Sequence, residues 1–430
     1  MPARDFPAVS DAPDWKNLNL RLGASYNLFG DGRTALKASL GRYVPYTIAA
    51  SNNPAANQAV TTGRTWNDAD GNYVPNCDLT NPNANGECGA WSDRTFGQLR
   101  AGTRFADDAL SGFNKQFANW QGSVSIQQQL RQGMALNVGY FRTWYRNFLV
   151  TKNAAVTPAD FDSYCLTVPS DSRLSNSGQQ LCGFYDVKPQ LFGVVDNVRT
   201  LASNYGKRTE VYNGVDVSLT MRPTQETQFS GGLSIGRTVT DACDLIAKVP
   251  EALFGLDPAA NTGPGTLTSG TPGSWSPVQN CHIVRPWSAA TQAKFLAVFP
   301  LPWGFSASAV YQNIPGIPVT ATDPATNSQI RPSLGRDLAS CRGAAVCNAT
   351  VNLELLNPAS AFEDRLQQVD LRLSRRFQVR RFRVRGSLDV ANLFNASSVL
   401  AENAGYGSQW LVPYETLGGR LFRVNAQVEF

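Results

Sequence analysis

The sequence predicts an all-β protein, an antiparallel transmembrane β-barrel with about eleven long strands. Three observations predict this fold class: apolar and polar residues alternate over long segments, alternately short and long connections join the segments, and the cysteines lie only in the long connections. Charged residues make up only 17% of the 430-residue chain, which also contains 36 Gly and 25 Pro. This composition suits strands with one apolar face and one polar, mostly uncharged face.

The alternation is clearest at the C-terminus, where Phe422, Val424, Ala426, Val428 and Phe430 occupy every second position between polar residues. Similar segments cover 18–28, 211–221 and 382–390. Successive strand residues point to opposite faces, so each segment has one apolar and one polar side. The segments run about 12–16 residues, whereas strands of globular proteins average about five or six and a bilayer-crossing strand needs about 9–11. Their length therefore favours strands that cross a membrane.

The predicted strands and connections follow a regular order along the chain. The strands cover 15–28, 33–46, 116–130, 134–150, 208–222, 226–240, 285–299, 303–320, 365–377, 381–396 and 417–430. Short turns join them at 29–32, 131–133, 223–225, 300–302 and 378–379, and long loops join them at 47–115, 151–207, 241–284, 321–364 and 397–416. Short turns at one end and long loops at the other are typical of bacterial outer-membrane barrels. We therefore expect periplasmic turns and extracellular loops.

Eight cysteines occur in pairs, two in each of four long loops. Eight cysteines allow 105 pairings, but this distribution favours the pairing within loops. The predicted disulfides are Cys77–Cys88, Cys165–Cys182, Cys243–Cys281 and Cys341–Cys347. A metal site would need closely spaced cysteines or additional histidines, and His282 is the only histidine. The pattern indicates an oxidising compartment and no metal or other cofactor.

Several classes of function are excluded or disfavoured by the sequence. No segment has 18 consecutive apolar residues, so a transmembrane helix is excluded. The net charge of +5 is scattered, and the Arg-rich run 375–385 belongs to no nucleic-acid-binding module. Motifs of hydrolases, zinc peptidases and phosphate-binding loops are absent, and His282 is the only residue that could complete a Ser–His or Cys–His pair. We therefore predict that the chain is not an enzyme and binds no nucleic acid.

The polar face of the predicted strands carries the candidate functional residues. Those expected to face the lumen are Asp216, Asp370, Arg372, Arg383, Arg385, Asp389 and Arg423. They would either form a hydrated wall of mutual ion pairs or contact a plug or a passing solute. The loop residues Trp66, Tyr73, Trp91 and Tyr185 would either stack on a ligand or pack the loops. Trp144, Tyr145 and Phe148 lie far enough from the turn at Gly133 to reach the opposite membrane interface, and Trp303 would lie in the other aromatic girdle.

Two regions resemble the barrel of TonB-dependent receptors. One is the first hairpin, from Trp15 through Phe29-Gly30-Asp31-Gly32 to Tyr43. The other is the segment Asn392-Leu393-Phe394-Asn395 at the end of the penultimate strand. The chain is most similar to the Oar-like group of these receptors. Its ending, with Phe422, Val424, Val428 and the terminal Phe430, resembles an outer-membrane assembly signal.

The resemblance implies a barrel of 22 strands, of which the eleven strands here would form roughly the C-terminal half. It also implies an N-terminal plug, a TonB box and energised uptake of a scarce solute. Residues 1–6, Met-Pro-Ala-Arg-Asp-Phe, resemble no signal peptide, and neither a plug nor a TonB box is recognisable. We therefore expect a truncated gene product or an internally placed start. Eleven strands alone would leave two unpaired sheet edges in lipid.

The leading hypothesis is an outer-membrane receptor of a Gram-negative bacterium, whose loops capture a small solute, glycan or peptide. Its expected partners are outer-membrane lipid, the barrel-assembly machinery and, through the missing N-terminal region, the TonB complex. The alternative is a passive porin or an adhesin-like barrel. A third class, a secreted soluble β-sandwich or sugar-binding protein, would be favoured by solubility without detergent.

Overall fold

The computed structural model describes residues 13–45, 61–94, 96–97, 103–251, 280–379 and 381–429. Its main feature is a sheet of eleven long strands. These are β1 Arg21–Asn27, β2 Thr34–Tyr43, β3 Ala118–Arg131, β4 Met134–Arg146, β5 Thr209–Met221, β6 Gln228–Asp241, β7 Gln292–Leu301, β8 Phe305–Ile314, β9 Leu366–Val379, β10 Phe382–Ala391 and β11 Leu421–Glu429. The predicted C-terminal residue of the assembly signal, Phe430, lies outside the described residues, as do parts of the predicted loops 47–115 and 241–284.

The eleven strands are hydrogen-bonded to one another in chain order, and every neighbouring pair is antiparallel. The short strand His282–Val284 adds to the loop end of β6 and makes the sheet twelve-stranded. The predicted number and order of long strands is confirmed, although most strands are a few residues shorter than expected. Within the described residues the sheet is not closed, because β1 and β11 are its two edges.

Tight turns connect the strands at one end of the sheet. In the β3–β4 turn, Gly133 has a φ of +74°, a conformation that costs glycine little. A side chain here would also collide with the carbonyl oxygen of Arg222, 2.4 Å from an ideal Cβ. The carbonyl of Gly133 accepts a 2.6 Å hydrogen bond from the Arg222 N–H, which ties this turn to the end of β5. Both the positive φ of the turn and the close approach of the Arg222 carbonyl oxygen therefore require glycine at position 133.

The strand registers place the alternating residues on two continuous faces. Leu373, Leu388 and Val424 are directly opposite one another on β9, β10 and β11, and their side chains are 42%, 42% and 81% exposed. Arg372 and Asp389 are opposite each other on the other face. Such exposure of large apolar side chains is unfavourable in water but normal in hydrocarbon. The sheet thus has an exposed apolar face and a polar face.

The long loops contain secondary structure of their own. Their strands are Asp14–Lys16, Thr103–Phe105, Ser111–Phe113, Leu149–Asn153, Phe161–Thr167, Gln180–Val187, Asn197–Leu201, Thr322–Thr326, Thr350–Glu354, Val399–Glu402 and Pro413–Thr416. The helices are α1 Asp107–Leu110, α2 Cys243–Lys248 and α3 Asn327–Leu334, with 3₁₀ turns at Pro158–Asp160, Pro189–Leu191, Ala202–Asn204, Trp287–Ala289, Pro302–Gly304 and Ala339–Cys341. All but the Pro302–Gly304 turn lie at the loop end of the sheet or precede β1.

Local sequence signals explain why a helix forms inside one of these loops. Thr326 and Gln329 form a capping box at the start of α3, with a 2.7 Å hydrogen bond from the Thr326 N–H to the Gln329 side chain. Gly335, in the left-handed conformation, ends the helix. Ile330 and Leu334 are four residues apart and share the buried face. Among the described residues, no helix has the length and hydropathy needed to cross a membrane.

Candidate functional site

The long loops pack together into one folded unit, which we call the loop cap and define as the described parts of residues 61–117, 147–208, 242–291, 315–365 and 392–420. Its largest hydrophobic core draws side chains from three loops. Phe184 comes from the second loop, Ile330 and Leu353 from the fourth, and Trp410 from the fifth. All four are at most 2% exposed. A shared core of this kind holds loops that are far apart in sequence in fixed relative positions.

Polar contacts reinforce this core between the second and fourth loops. Arg336 Nη1 lies 2.5 Å from the Asp186 carboxylate, and Arg336 Nη2 lies 2.8 Å from Asp162. The same guanidinium also donates to the carbonyl oxygens of Asp186, Val187 and Asp337. A planar guanidinium with five donors is suited to such a junction, where a lysine would satisfy fewer acceptors.

The fifth loop is attached through Trp410. Its indole Nε1 donates a 2.8 Å hydrogen bond to the Thr320 carbonyl oxygen, and the Arg173 guanidinium lies 4.8 Å from its ring centroid. Asp171 holds Arg173 in place with an ion pair of 2.7 Å and accepts a hydrogen bond from Tyr406. These hydrogen bonds, the one from Arg173 first, lower the pKa of Asp171 to about 2. The contacts link the second, fourth and fifth loops around one tryptophan.

The first and third loops join the cap through the second. Strand Asn197–Leu201 pairs with both Thr103–Phe105 and Leu149–Asn153, which makes a three-stranded sheet from two loops. Lys152 lies in this sheet, and its Nζ is 2.8 Å from the carboxylate of Glu251 in the third loop. A second hydrophobic cluster nearby, which includes Val150 and Leu245, is also shared by the second and third loops. All five long loops therefore contact one another, directly or through a neighbour.

The structure contains four disulfides, all within single loops of the cap. They are Cys77–Cys88, Cys165–Cys182, Cys243–Cys281 and Cys341–Cys347, the same pairs that the sequence predicts. Cys165 and Cys182 are also cross-strand neighbours in the hairpin of the second loop. No free cysteine is present. These bonds restrict the open conformations of the loops and favour the folded cap.

Two clusters of charged residues involve the first loop. The first cluster is negatively charged and lies within this loop. Asp68, Asp70 and Glu87 have carboxylate oxygens within 4.8 Å of one another, the only such cluster in the part of the chain that the structure describes. Nearby groups of the loop already occupy these oxygens. Glu87, for example, accepts hydrogen bonds from the N–H groups of Asn76 and Ala69, and these bonds lower its pKa.

The second cluster is positively charged and joins three loops. The guanidinium of Arg342 lies over the ring of Phe192, 4.3 Å from its centroid. Burial first, and then the guanidinium groups of Arg94 and Arg64, lower the pKa of Arg342 to about 10. Three guanidinium groups from the first and fourth loops therefore lie close together in this part of the cap.

The residues predicted to face a lumen all lie on the polar face of the sheet, although not in one cluster. Arg372 and Asp389 form a two-point ion pair with distances of 2.5 and 2.9 Å, and Asn425 donates to the same carboxylate. Arg423 is directly opposite Asp389 on β11. These four side chains form one group on the polar face of the last three strands of the sheet, β9 to β11.

The remaining predicted residues lie around this group or farther away on the polar face. Asp370 accepts hydrogen bonds from the Asn392 N–H and the Gln368 side chain at the loop end of β9. Arg383 and Arg385 lie near the turn end and line a cavity of about 360 Å³. Asp216 is on β5, where it accepts a 2.6 Å hydrogen bond from Ser234. Both sequence-based interpretations, a hydrated wall and contacts to a plug or solute, stay open for these residues.

The aromatic residues singled out in the sequence have different surroundings. Tyr73 is 85% exposed, whereas Trp66 donates a hydrogen bond to Glu87 and Trp91 packs edge-on against Phe96. Tyr185 packs against the small cluster that includes Ile246. Tyr73 therefore has the most accessible ring of the four, and the others also stabilise the loops.

The aromatic girdle predicted at the loop end is only partly observed. The rings of Trp144 and Trp120 stack on the apolar face with centroids 6.2 Å apart. Phe148, by contrast, lies beyond β4 and is buried in the core of the cap, where it packs against Phe117 and Tyr145. The strand ends earlier than predicted, so the alternation no longer sets the direction of this side chain. Trp303 is 83% exposed at the opposite turn, as expected.

His282 is the only histidine, and its surroundings are not those of a catalytic residue. Its Nδ1 lies 3.4 Å from the Asp241 carboxylate across the short strand pair, and its side chain is about half exposed. All eight cysteines are in disulfides, so none is available as a nucleophile. The contact between His282 and Asp241 joins the short strand His282–Val284 to the end of β6, so a structural role explains the histidine.

Comparisons with known proteins gave matches only among solved structures. No protein-family model and no curated protein matches the chain. The outer membrane transporter YddB from Escherichia coli is similar over 94% of this chain and 39% of its own, with 9% identity and a TM-score of 0.43. The ferric-catecholate import receptor Fiu from E. coli K12 is similar over 95% and 34%, with 13% identity and a TM-score of 0.40. The FrpB iron transporter from Neisseria meningitidis is similar over 95% and 38%, with 11% identity and a TM-score of 0.40.

The chain thus spans less than two fifths of the length of each of these structures. They are an outer membrane transporter, an import receptor and an iron transporter. The Oar-like subgroup is not confirmed by these comparisons.

Proposed function

We propose that the chain forms part of an outer-membrane receptor that takes up a scarce solute with energy supplied by TonB. The observation that carries this proposal is the separation of the eleven-stranded sheet into an exposed apolar face and a polar face. Each exposed leucine or valine of the apolar face would cost about 25 cal/mol per Å² of apolar surface in water. In a bilayer the same face requires no covering, and the polar face lines a hydrated interior.

The edges of the sheet support a larger barrel. The described residues give β1 and β11 one neighbour each, and lipid offers no hydrogen-bond partner for the free edges. Further strands would satisfy both edges, and the resemblance of the first hairpin and the Asn392–Asn395 segment implies 22 strands in all. In this proposal a plug closes the interior and the TonB complex acts on it. Residues Phe422, Val424, Val428 and Phe430 would be recognised by the barrel-assembly machinery.

The loop cap is the proposed site of ligand capture. Its loops share hydrophobic cores, ion pairs and disulfides, so a ligand would meet a surface that needs little ordering on binding. The exposed ring of Tyr73 and the guanidinium of Arg342, which lies close to those of Arg94 and Arg64, are groups of the cap that a solute could contact. A captured solute would then pass along the polar face, where Arg372, Asp389 and Arg423 are the proposed contacts.

The membrane assignment is tested by two matched arginine substitutions on adjacent residues of β3. Ile126 lies on the apolar face and Gln127 on the polar face, and both side chains are exposed. Arginine on the lipid-facing side costs up to about 2–4 kcal/mol, whereas the hydrated side tolerates it. We expect Ile126→Arg, but not Gln127→Arg, to lower the yield of heat-modifiable protein when each is introduced into the complete protein, with the further strands that close the barrel, and refolded into vesicles. Equal yields, or a wild-type chain that stays soluble without detergent, would contradict the proposal.

The transport mechanism is tested separately from the membrane assignment. Sequencing of the coding DNA upstream of Met1 is expected to reveal a plug and a TonB box in the same reading frame. The complete protein should then support solute uptake in cells with TonB and not in cells without it. A signal peptide joined directly to the barrel would instead favour the passive porin or adhesin-like alternative.

A further inference from the structure

A groove of about 430 Å³ runs along the apolar face of β1 to β4. Small residues form its floor, because Ala24, Ala38 and Gly122 occupy positions where neighbouring rows carry larger side chains. Leu22, Leu40, Val124, Tyr140 and Trp144 form its walls. The groove is an apolar channel on the outer surface of the sheet and is separate from the loop cap and the polar face.

One charged side chain lines this groove. Arg142 lies on the apolar face of β4, directly opposite Gly122, and it is exposed. Its Nη1 is 3.4 Å from Asn213 Oδ1, which also accepts a 2.7 Å hydrogen bond from the Tyr140 hydroxyl. Asn213 thus positions the guanidinium while most of its N–H groups face no described protein acceptor. No carboxylate belongs to the groove, so its charge is complementary to an anion.

A second arginine extends the positive charge along the same row. Arg237 lies on β6, directly opposite Asn213 of β5. Residues Gly122, Arg142, Asn213 and Arg237 are therefore neighbours in one row across four adjacent strands. The two arginines are two strands apart, or about 10 Å between Cα atoms. The guanidinium of Arg237 lies 4.8 Å from the centroid of the Trp287 ring. The electrostatic attraction between a cation and the face of an aromatic ring favours this position of the guanidinium.

The depth of Arg142 matches a headgroup position. It lies nine residues beyond Gly133, about 23 Å above the turn for a strand tilted by about 40°. The apolar band of a membrane barrel is about 25 Å tall, so Arg142 lies near its extracellular border. The stacked Trp120 and Trp144 are the next pair on this face toward the loop end, as expected for an interfacial girdle just beyond this depth. The groove extends from this level toward the turn end.

We propose that this groove binds a phosphate-bearing lipid of the extracellular leaflet. One acyl chain lies in the channel over Ala24, Ala38 and Gly122, and the phosphate accepts hydrogen bonds from Arg142, with Arg237 adding to the local positive potential. The proposal rests on the membrane-spanning part of the proposed function but not on transport. It assigns the groove to lipid binding and gives Arg142 a ligand outside the protein.

Two substitutions separate the headgroup contact from the acyl-chain contact. Arg142→Gln removes the charge and keeps a polar side chain of similar length. Gly122→Leu fills the channel, and the sheet has room for it, since a Cβ at this position would make only ordinary contacts of 3.7–3.9 Å. The matched control is Lys37→Gln, which removes one cation from the polar face of β2, behind the groove.

The measurement is native mass spectrometry in detergent of the complete protein, which includes the further strands that close the barrel. The protein is titrated with dioleoylphosphatidylglycerol or with dioleoylglycerol, which lacks the phosphate. Loss of a charge-assisted contact should weaken phosphatidylglycerol binding by about tenfold in Arg142→Gln. Gly122→Leu should weaken the binding of both lipids, and Lys37→Gln should change neither. Inorganic phosphate alone should not compete, because it lacks the acyl chain.

The outcomes distinguish this inference from the proposed function. Equal phosphatidylglycerol binding by the wild type, Arg142→Gln and Gly122→Leu, all heat-modifiable and inserted in vesicles, would overturn the lipid site and leave the membrane assignment intact. Preference for dioleoylglycerol over phosphatidylglycerol would also overturn it. Heat-modifiability measured on each variant shows that a loss of binding does not come from a failure to fold, and Gly122→Leu tests the site if Arg142→Gln does not refold.

Discussion

The guanidinium of Arg336 lies 2.5 Å from the carboxylate of Asp186, a residue 150 positions earlier in the chain. Both side chains are mostly buried, with 21% and 14% of their surface exposed. The contact joins the second and fourth long loops at the edge of their common core. The loop cap therefore contains specific ion pairs between loops, in addition to the disulfides within single loops.

Removal of this junction should loosen the cap without affecting the sheet. Arg336→Met leaves the mostly buried Asp186 without its ion-pair partner, and breaking a buried pair costs up to about 3–5 kcal/mol. We expect faster hydrogen exchange in residues 161–187 and 327–338 and unchanged exchange in β9 to β11. Arg336→Lys is the control, since it keeps the charge and loses the fork of donors. Identical exchange in Arg336→Met and the wild type would show that the junction contributes nothing to the cap.

Truncation of Trp410 should be more disruptive, because this side chain is 2% exposed and fills the centre of the three-loop core. Trp410→Ala should destabilise the cap by about 3–5 kcal/mol through the cavity that it creates. Trp410→Phe keeps most of the packing but loses the hydrogen bond to Thr320. Proteinase K cleavage within 165–182 and 327–356, compared among the three proteins, provides the measurement. Equal cleavage rates in Trp410→Ala and the wild type would contradict a shared core.

The disulfides should differ in their contribution according to the length of chain that each encloses. Cys243–Cys281 joins residues 38 positions apart, whereas Cys341–Cys347 joins residues 6 positions apart. The loop-closure relation gives about 4 kcal/mol for the first and about 2 kcal/mol for the second. Paired Cys→Ala variants, compared by hydrogen exchange in α2 and in Ala339–Cys341, should reproduce this order. A larger effect from the shorter loop would indicate that native contacts, rather than closure of the open chain, dominate.

Alternation predicted the sheet well, because each strand is independently amphipathic. Leu373 and Arg372 are assigned to opposite faces by their positions alone, and the registers agree with that assignment. The turn chemistry at Gly133 also has a local signal. The four disulfides could be predicted because each of four loops contains two cysteines. Each cysteine therefore has one other cysteine near it in sequence.

The loop cap had no such signal in the sequence. Phe184, Ile330 and Trp410 meet in one core, but they lie in three segments without a common period, so nothing local predicts their contact. Phe148 is a single-residue example of the same limit. The direction of its side chain depends on contacts with residues of the second and third loops, which the local sequence does not predict. The groove at Arg142 was missed for another reason. Its floor is formed by small residues on adjacent strands, and only the register brings Ala38 and Gly122 together.

The Arg372–Asp389 pair on the polar face should contribute little to stability. More than half of the Arg372 side chain is exposed, and exposed pairs are worth about 0–1 kcal/mol. Arg372→Gln should therefore refold with nearly wild-type resistance to urea. A change in ion conductance across planar bilayers, without a change in stability, would assign the pair to the interior pathway. A decrease of several kcal/mol in the free energy of unfolding would instead show that water is excluded from the polar face.

Acid should weaken the attachment of the fifth loop to the cap. Hydrogen bonds from Arg173 lower the pKa of Asp171 to about 2 in the folded protein, below the value near 3.9 of an unfolded aspartate. A depressed pKa contributes stability that is complete above the unfolded value and is lost as the pH falls from about 4 through the folded value. Hydrogen exchange in residues 171–177 and 406–411, corrected for intrinsic rates, should therefore accelerate in this range. Asp171→Asn should already exchange faster at neutral pH and respond less to acid, because its amide neither titrates nor holds Arg173 by charge. If both proteins show the same dependence on pH, other carboxylates, such as Glu87 with its own depressed pKa, control the acid response of the cap.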